Sequence, residues 1–306
     1  MQVFRTETVE QTDLAALVRV KPEGIAAIWF RLRDFARRKP IAAVGGAIVL
    51  FAILVAIFAG VIAPYDPQAI GIATKFSGPG TDGALLGTDQ LGRDILSRLI
   101  HGARVSMYVG VVSVLIGITA GTLIGVGSAY VGGWPDMLLQ RLVDALMGFP
   151  PIILALGLMA ALGASDRNVI IALIAILLPG ATRVIRSQAL SIKELDYTLA
   201  AQAIGATGAR VVLRHMLPNL AATYIVLVTI SLGFAIVVEA ALSFLGVGIP
   251  PDIPTWGGML QLGRKFIDTQ PWLPVPPMIA IGVVVFSVSF LGDAIRDVLD
   301  PKLRGR

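Results

Sequence analysis

The chain has 306 residues, 56% hydrophobic and only 15% charged, with a mean hydropathy of +0.80. That balance excludes an ordinary water-soluble domain and points to an all-α integral membrane protein, each crossing taking about 20 apolar residues. The net charge of +5 and the pI near 9.7 would suit nucleic acid, but the 25 Lys and Arg residues cluster beside the apolar runs, which favours a membrane surface and excludes nucleic acid.

Residues 1–40 read as a charged tail. Ile25, Ile28, Trp29, Leu32, Phe35 and Ala36 recur at helical spacing beside Arg31, Arg33, Arg37, Arg38 and Lys39. An amphipathic surface helix over 24–39 is expected, with a solvated arm as the alternative. The tail is too charged, and the following apolar run too long, for a cleaved secretory leader, so the tail is expected to stay attached.

The first span covers 41–63 and stops at Pro64. Residues 64–104, rich in Gly, Pro and Asp, form an extracytoplasmic segment too polar for lipid. A second span follows over about 105–130, ended by Gly132, Gly133 and Pro135. Ser113, Gly117, Gly121 and Gly125 recur along it every fourth residue, a ridge of small side chains that lets helix backbones approach closely in lipid.

A third span, 144–162, contains Pro150 and Pro151, which remove backbone donors and should kink it. The kink suits either a substrate pathway or simple packing. The fourth span, 168–182, leads through Arg183 and Arg186 into a polar stretch, and the fifth is 220–245. After it comes a Pro- and Gly-rich loop carrying Trp256 and Trp272, placed as membrane-interface anchors, then a sixth span over 276–291 and a basic tail, 292–306. The spans from 105 to 291 form one five-helix domain that includes a loop at 188–219. With the N-terminus inside, 18 of the 25 Lys and Arg residues fall on the inner side, so both termini and the 188–219 loop are expected in the cytoplasm.

No G-x-x-x-x-G-K-[ST] loop occurs, so the chain has no phosphate cradle of its own. The spans hold almost no ionisable groups for an ion-driven relay. Glu239 is the exception, a candidate for the substrate pathway together with Pro150 and Pro151, or else a structural partner of a neighbouring helix. With no Cys, and with His101 and His215 both outside the spans, neither a catalytic residue nor a metal site is expected.

The stretch DYTLAAQAIGATGARVVLRHMLPN, residues 196–219, reads as two short helices joined at Gly205, the second capped by Thr207 and stopped at Pro218. Such a projection gains order if its small, apolar face docks on another protein; an amphipathic loop lying on the membrane is the alternative.

The same stretch resembles the coupling-loop signature of binding-protein-dependent ABC importer permeases: Glu-Ala-Ala, three residues, Gly, nine residues, Ile, one residue, Leu-Pro. Ala200, Ala201, Gly205, Leu217 and Pro218 fall on it, while Leu199 stands in place of the Glu and His215 in place of the Ile. LLGTDQLGRDILSRLIHGARVSMYVG (85–110), EAALSFLGVGIPPDIPTWGGML (239–260) and FLGDAIRDVLDPKLR (290–304) are similar to stretches of the C-type permease of the dipeptide/oligopeptide/nickel subfamily.

This resemblance implies a type I importer permease fold of six spans in a bacterial or archaeal inner membrane, with a coupling helix between spans four and five. It implies a homologous B-type permease as heterodimer partner, two ATPase subunits holding ATP and Mg, and an extracytoplasmic solute-binding protein, with cofactors none in this chain. The residues it places against the ATPase are Asp196, Leu199, Ala200, Ala201, Gly205, Ala206, Arg210, Leu217 and Pro218. Asp196, three residues before Leu199, either supplies the missing carboxylate or is dispensable to a partner that tolerates leucine. Di- or oligopeptides are the expected substrates, with nickel chelates, glutathione or other small solutes as alternatives; a stand-alone secondary carrier is the rival class.

Overall fold

A computed structural model describes residues 39–299, together with 33, 36 and 37. The expected amphipathic helix over 24–39 and the final basic residues lie essentially outside the described residues. Among the described residues there is no β-strand, only isolated bridges between Thr81 and Ala84 and between Thr88 and Asp94.

The helices are α1 (Pro40–Ile57), α2 (Ala59–Ile62), α3 (Ile95–Val131), α4 (Gly133–Met147), α5 (Pro151–Leu162), α6 (Asp166–Lys193), α7 (Asp196–Ala203), α8 (Gly208–Val211), α9 (Leu217–Phe244), α10 (Trp256–Lys265) and α11 (Val275–Leu299). A π-helical turn, Val212–Met216, fuses α8 to α9. Five helical stretches among the described residues are long and apolar enough to cross a membrane, and the bent pair α4–α5, counted as one span, makes a sixth.

The small-residue ridge fixes the centre of the bundle. A Cβ on Gly117 would stand 3.2 Å from Leu177 Cβ, one on Gly121 only 2.7 Å from Ala181 Cβ and 2.8 Å from the Leu178 carbonyl, and one on Gly125 only 2.6 Å from the Thr182 carbonyl. Hydrogen in place of a side chain is therefore what allows α3 and α6 to touch, backbone on backbone. The paired numbers rise together, so the two helices run parallel, and the chain must cross back between them through α4 and α5.

The other pairs are antiparallel. Gly110 faces Leu232 and Ile236 of α9, Gly292 faces Thr229 and Ile230, and Gly45 of α1 meets the Ser287 backbone of α11. Lys39 is paired with Asp297, so both ends of the described chain lie together, at the end of the bundle where α3 finishes and α7 begins.

Gly121→Ala is expected to cost about 1–3 kcal/mol by overpacking, outweighing a helix-propensity gain of up to about 1 kcal/mol. A lower melting temperature of the solubilised protein is the readout. Gly127, where a Cβ meets open space, is the control: Gly127→Ala should be neutral or mildly stabilising.

Several expected boundaries are corrected. The second span starts at Ile95, ten residues before the expected 105, because Asp94 caps it by accepting from Ser97 N at 2.8 Å and because Arg98 is buried with a counter-charge. The third is not a single kinked helix from 144. Pro150 and Pro151 cannot donate to the preceding turn, and the chain turns 90° between α4 and α5.

The fourth runs on to Lys193, since Arg183 and Arg186 pair with Asp144 and Asp136 of α4 and no longer mark an end. The sixth extends to Leu299, past 291. Pro218 is no stop: it lies in the first turn of α9, directly after the π-helical turn Val212–Met216, and the helical chain runs through it from α8. Trp256 is not an interface anchor either. It opens α10, is buried, and donates from Nε1 to the Leu99 carbonyl at 3.1 Å.

Candidate functional site

At the end of the bundle where α3 finishes, the chain between α6 and α9 projects as α7, a turn at Gly205, and α8. The turn needs glycine: Gly205 has φ +83, while a Cβ there would meet nothing within 4 Å, so backbone strain alone sets the requirement. The Ala206 N–H donates to the Ala201 carbonyl at 3.0 Å and the Gly205 N–H to the Gln202 carbonyl at 2.9 Å, closing the C-terminus of α7. Thr207 occupies the cap position of α8 as expected, but its side chain makes no capping hydrogen bond.

The signature residues divide by burial. Ala201 is buried, and Ala206 and Leu217 are half-buried. Asp196, Leu199, Ala200, Gly205, Arg210 and Pro218 are exposed. Ala201, Ala206 and Leu217 thus seat the projection, and the others present a surface. That surface is apolar for so polar a stretch: Ile204 is 87% exposed and Leu213 64%, with Tyr197 and Leu199 also in the open. Such residues clustered on one projection mark an interaction face.

Contacts that sequence reasoning did not anticipate hold the projection rigidly. Lys193 Nζ donates to the carbonyls of Ala129 and Tyr130 at 3.2 and 2.7 Å, satisfying the last turn of α3 at the foot of the projection. Gly208 packs on the Tyr130 ring, where a Cβ would come within 2.7 Å. Val211 and Met216 are buried against Val126, Ala129, Ile185 and Ala189. Asp136 adds a second brace, accepting from Arg186 Nε at 2.7 Å and from Ser128. The available signal was a basic residue ending one helix opposite the double glycine that ends another.

Glu239 lies elsewhere, 21 residues beyond Pro218 and about 30 Å along α9. It is wholly enclosed within the chain, Oε1 accepting from Ser243 Oγ at 2.9 Å and Ser106 the other hydroxyl beside it. Pro150 and Pro151 are exposed at the α4–α5 bend. The structure therefore does not bring these three together, and only the two prolines face open space.

Two family descriptions match: binding-protein-dependent transport system inner membrane component over residues 113–305, and the N-terminal TM domain of oligopeptide transport permease C over 28–79. A provisionally named peptide transport system permease protein of Brucella suis is 39% identical over 259 residues, covering 83% of this chain and 87% of that one. The glutathione transport system permease protein GsiD of Shigella dysenteriae is 38% identical over 295 residues, covering 96% and 97%. The chain belongs to the C-type permeases of the peptide and nickel importer family.

The permease also shares its fold, at 17% identity and a TM-score of 0.54, with a chain of the MetNI methionine ABC transporter in inward-facing conformations, covering 66% of this chain and 96% of that one. It is accordingly a non-enzymatic, multi-pass inner-membrane subunit of an ABC importer, a class that works with ATPase and solute-binding partners.

At the opposite end of the permease, the GTDQLGRD segment folds as a buried network. Asp89 accepts from Arg93 Nε at 2.7 Å and from the N–H groups of Leu91 and Arg93 at 2.8 and 3.1 Å. Arg98 reaches from α3 to the carbonyls of Pro67 and Pro251 at 2.9 and 3.2 Å, stapling the 64–94 segment to the loop after α9. Gly87 has φ +79, and a Cβ there would strike the Ser77 carbonyl at 2.3 Å and the Trp272 ring at 2.6 Å. These residues build the cap at this end of the bundle, where the Asp89 carboxylate and the terminal nitrogens of Arg98 find partners within the chain.

Proposed function

We propose that this permease is one membrane half of an importer for small peptides, di- or oligopeptides, driven by ATP that partner subunits hydrolyse and coupled through the 196–218 projection. The observation that carries the reading is the exposed apolar face on a braced base: Leu199, Ile204 and Leu213 stand clear of a projection whose foot is fixed by Lys193, Gly208 and Met216. A rigid lever with an apolar tip suits a cleft in a separate ATPase; a lipid-lying loop has no need of the bracing.

On this reading both termini and the projection are cytoplasmic in a bacterial or archaeal cell, supported by the Lys and Arg bias and by the shared end of Lys39, Asp297 and α7. The second permease is a homologous B-type chain, ATP and Mg are held by the two ATPase subunits, and an extracytoplasmic binding protein delivers the solute. Peptide as substrate class is supported by both named relatives, since glutathione is itself a tripeptide.

Reconstitution tests it. Proteoliposomes holding both permeases, the ATPases and the binding protein should accumulate labelled dipeptide or glutathione only with ATP inside. Uptake by this polypeptide alone would establish a secondary carrier, and uptake confined to a nickel chelate would overturn the peptide assignment.

Asp196 is exposed in the first turn of α7, three residues from Leu199. We assign it the role of the absent Glu. Asp196→Ala is expected to lower ATP-dependent uptake roughly tenfold, the loss of one charge-assisted contact, with unchanged amounts of permease in the membrane. Uptake equal to wild type would show that the partner tolerates leucine instead.

A further inference from the structure

The apolar face of α3 begins at Val105: from there to Val131 the helix carries no Asp, Glu, Lys or Arg. Arg104 stands at that boundary, nine residues and about 14 Å from the start of α3. It is exposed and makes no hydrogen bond, ion pair or ring contact with any described residue. Every other Arg of the cap segment, Arg93 and Arg98, is buried with Asp89.

Arg104 borders a groove of about 340 Å³ between α1 and α3, whose other walls are Ile53, Ala56, Ile57, Met107, Tyr108 and Val111. Tyr108, one turn farther along the same face, is 55% exposed. The groove thus has a cation and a phenol at its mouth and hydrocarbon walls below, at the end of the bundle remote from α7.

A guanidinium at the edge of lipid is costly without a counter-charge, and its planar fork matches a phosphate. A phenol at the same level is the usual amphipathic companion of a headgroup. We propose that the α1–α3 groove is a phospholipid site, with Arg104 on the phosphodiester, the Tyr108 hydroxyl donating to a glycerol ester oxygen, and one acyl chain lying along Ile53, Ile57 and Val111. Charge complementarity selects this occupant, because no acidic described residue meets Arg104 and the remainder of the groove wall is apolar. The occupied site adds a bound lipid beside the direct α1–α3 packing of Ala52 and Ala56 with Ala103 and Met107.

The test uses the assembled importer, purified, stripped of lipid, and titrated with phosphatidylglycerol under native mass spectrometry. Wild type should retain one phosphatidylglycerol that Arg104→Gln binds about tenfold more weakly, the loss of one charge-assisted contact. Arg104→Lys should retain most of the binding. Ile57→Trp, which fills the groove from its exposed wall, should weaken retention with the arginine still present; a free phosphate ion would be indifferent to that change. Identical lipid retention in wild type and Arg104→Gln overturns the proposal. So does a photoreactive side chain at position 108 that cross-links to a partner polypeptide and not to lipid.

Discussion

Asp89→Ala is expected to destabilise the permease by about 3–5 kcal/mol, the cost of leaving buried charges without their partner. Asp89 is 1% exposed and Arg93 and Arg98 are nearly so, which removes the water that would otherwise solvate the stranded guanidinium groups. Arg93 Nε donates to Asp89 Oδ2 at 2.7 Å and Arg98 Nε stands 3.9 Å from the same oxygen, so one carboxylate answers two cations. Its other oxygen accepts from the Leu91 and Arg93 N–H groups, which sets the turn at Gly92 ahead of α3. Removing it should loosen residues 64–94 and, through Arg98 and the Pro251 carbonyl, the loop leading to α10. Asp268→Ala, an exposed carboxylate near the same end, is the control, expected within about 0.5 kcal/mol of wild type. Thermal melting of the solubilised complex measures both, and equal melting of Asp89→Ala and wild type would mean that this network does not hold the 64–94 segment in place.

That network also shows where the sequence was and was not legible. The Gly117, Gly121 and Gly125 ridge declared its contact in advance, because nothing but close approach asks for a small residue every fourth position in an apolar helix. The start of α3 did not, since the charges up to Arg104 made residues 64–104 read as one segment too polar for lipid. Only the fold shows that Arg98 is neutralised from a loop and buried, while Arg104 is not. Trp256 misled for a similar reason: its sequence setting is that of an interface anchor, and its burial comes from Leu99 and Ser106, some 150 residues earlier in the chain.

In the projection, Gly205 and Thr207 located the turn correctly from local chemistry. Pro218 was misjudged as an end because a proline in a helical first turn and a proline after a helix are indistinguishable until the π turn before it is known. The brace of Lys193 on the α3 carbonyls joins two helix ends whose marks, a basic residue and a double glycine, are each visible locally, while their meeting is set only by the fold.

Ile204→Asp should abolish most ATP-driven uptake while leaving the permease folded. Ile204 closes α7 at its C-terminal cap position, directly before the Gly205 turn, and is among the most exposed large apolar residues described. It is left largely open by the described residues, so the substitution should change stability by no more than about 0.5 kcal/mol. An isoleucine buried in a partner's cleft contributes about 1.5–3 kcal/mol, and a carboxylate in its place adds a desolvation cost of its own. Since about 1.4 kcal/mol is a factor of ten in affinity, co-purification of the ATPase subunits and uptake should both fall by a factor of roughly ten to a hundred or more. Ile204→Leu keeps the apolar tip and should restore both. Wild-type uptake and a full complement of ATPase in the Ile204→Asp complex would mean that the tip of the projection meets only water or lipid, and the coupling role would have to move to another face of the chain.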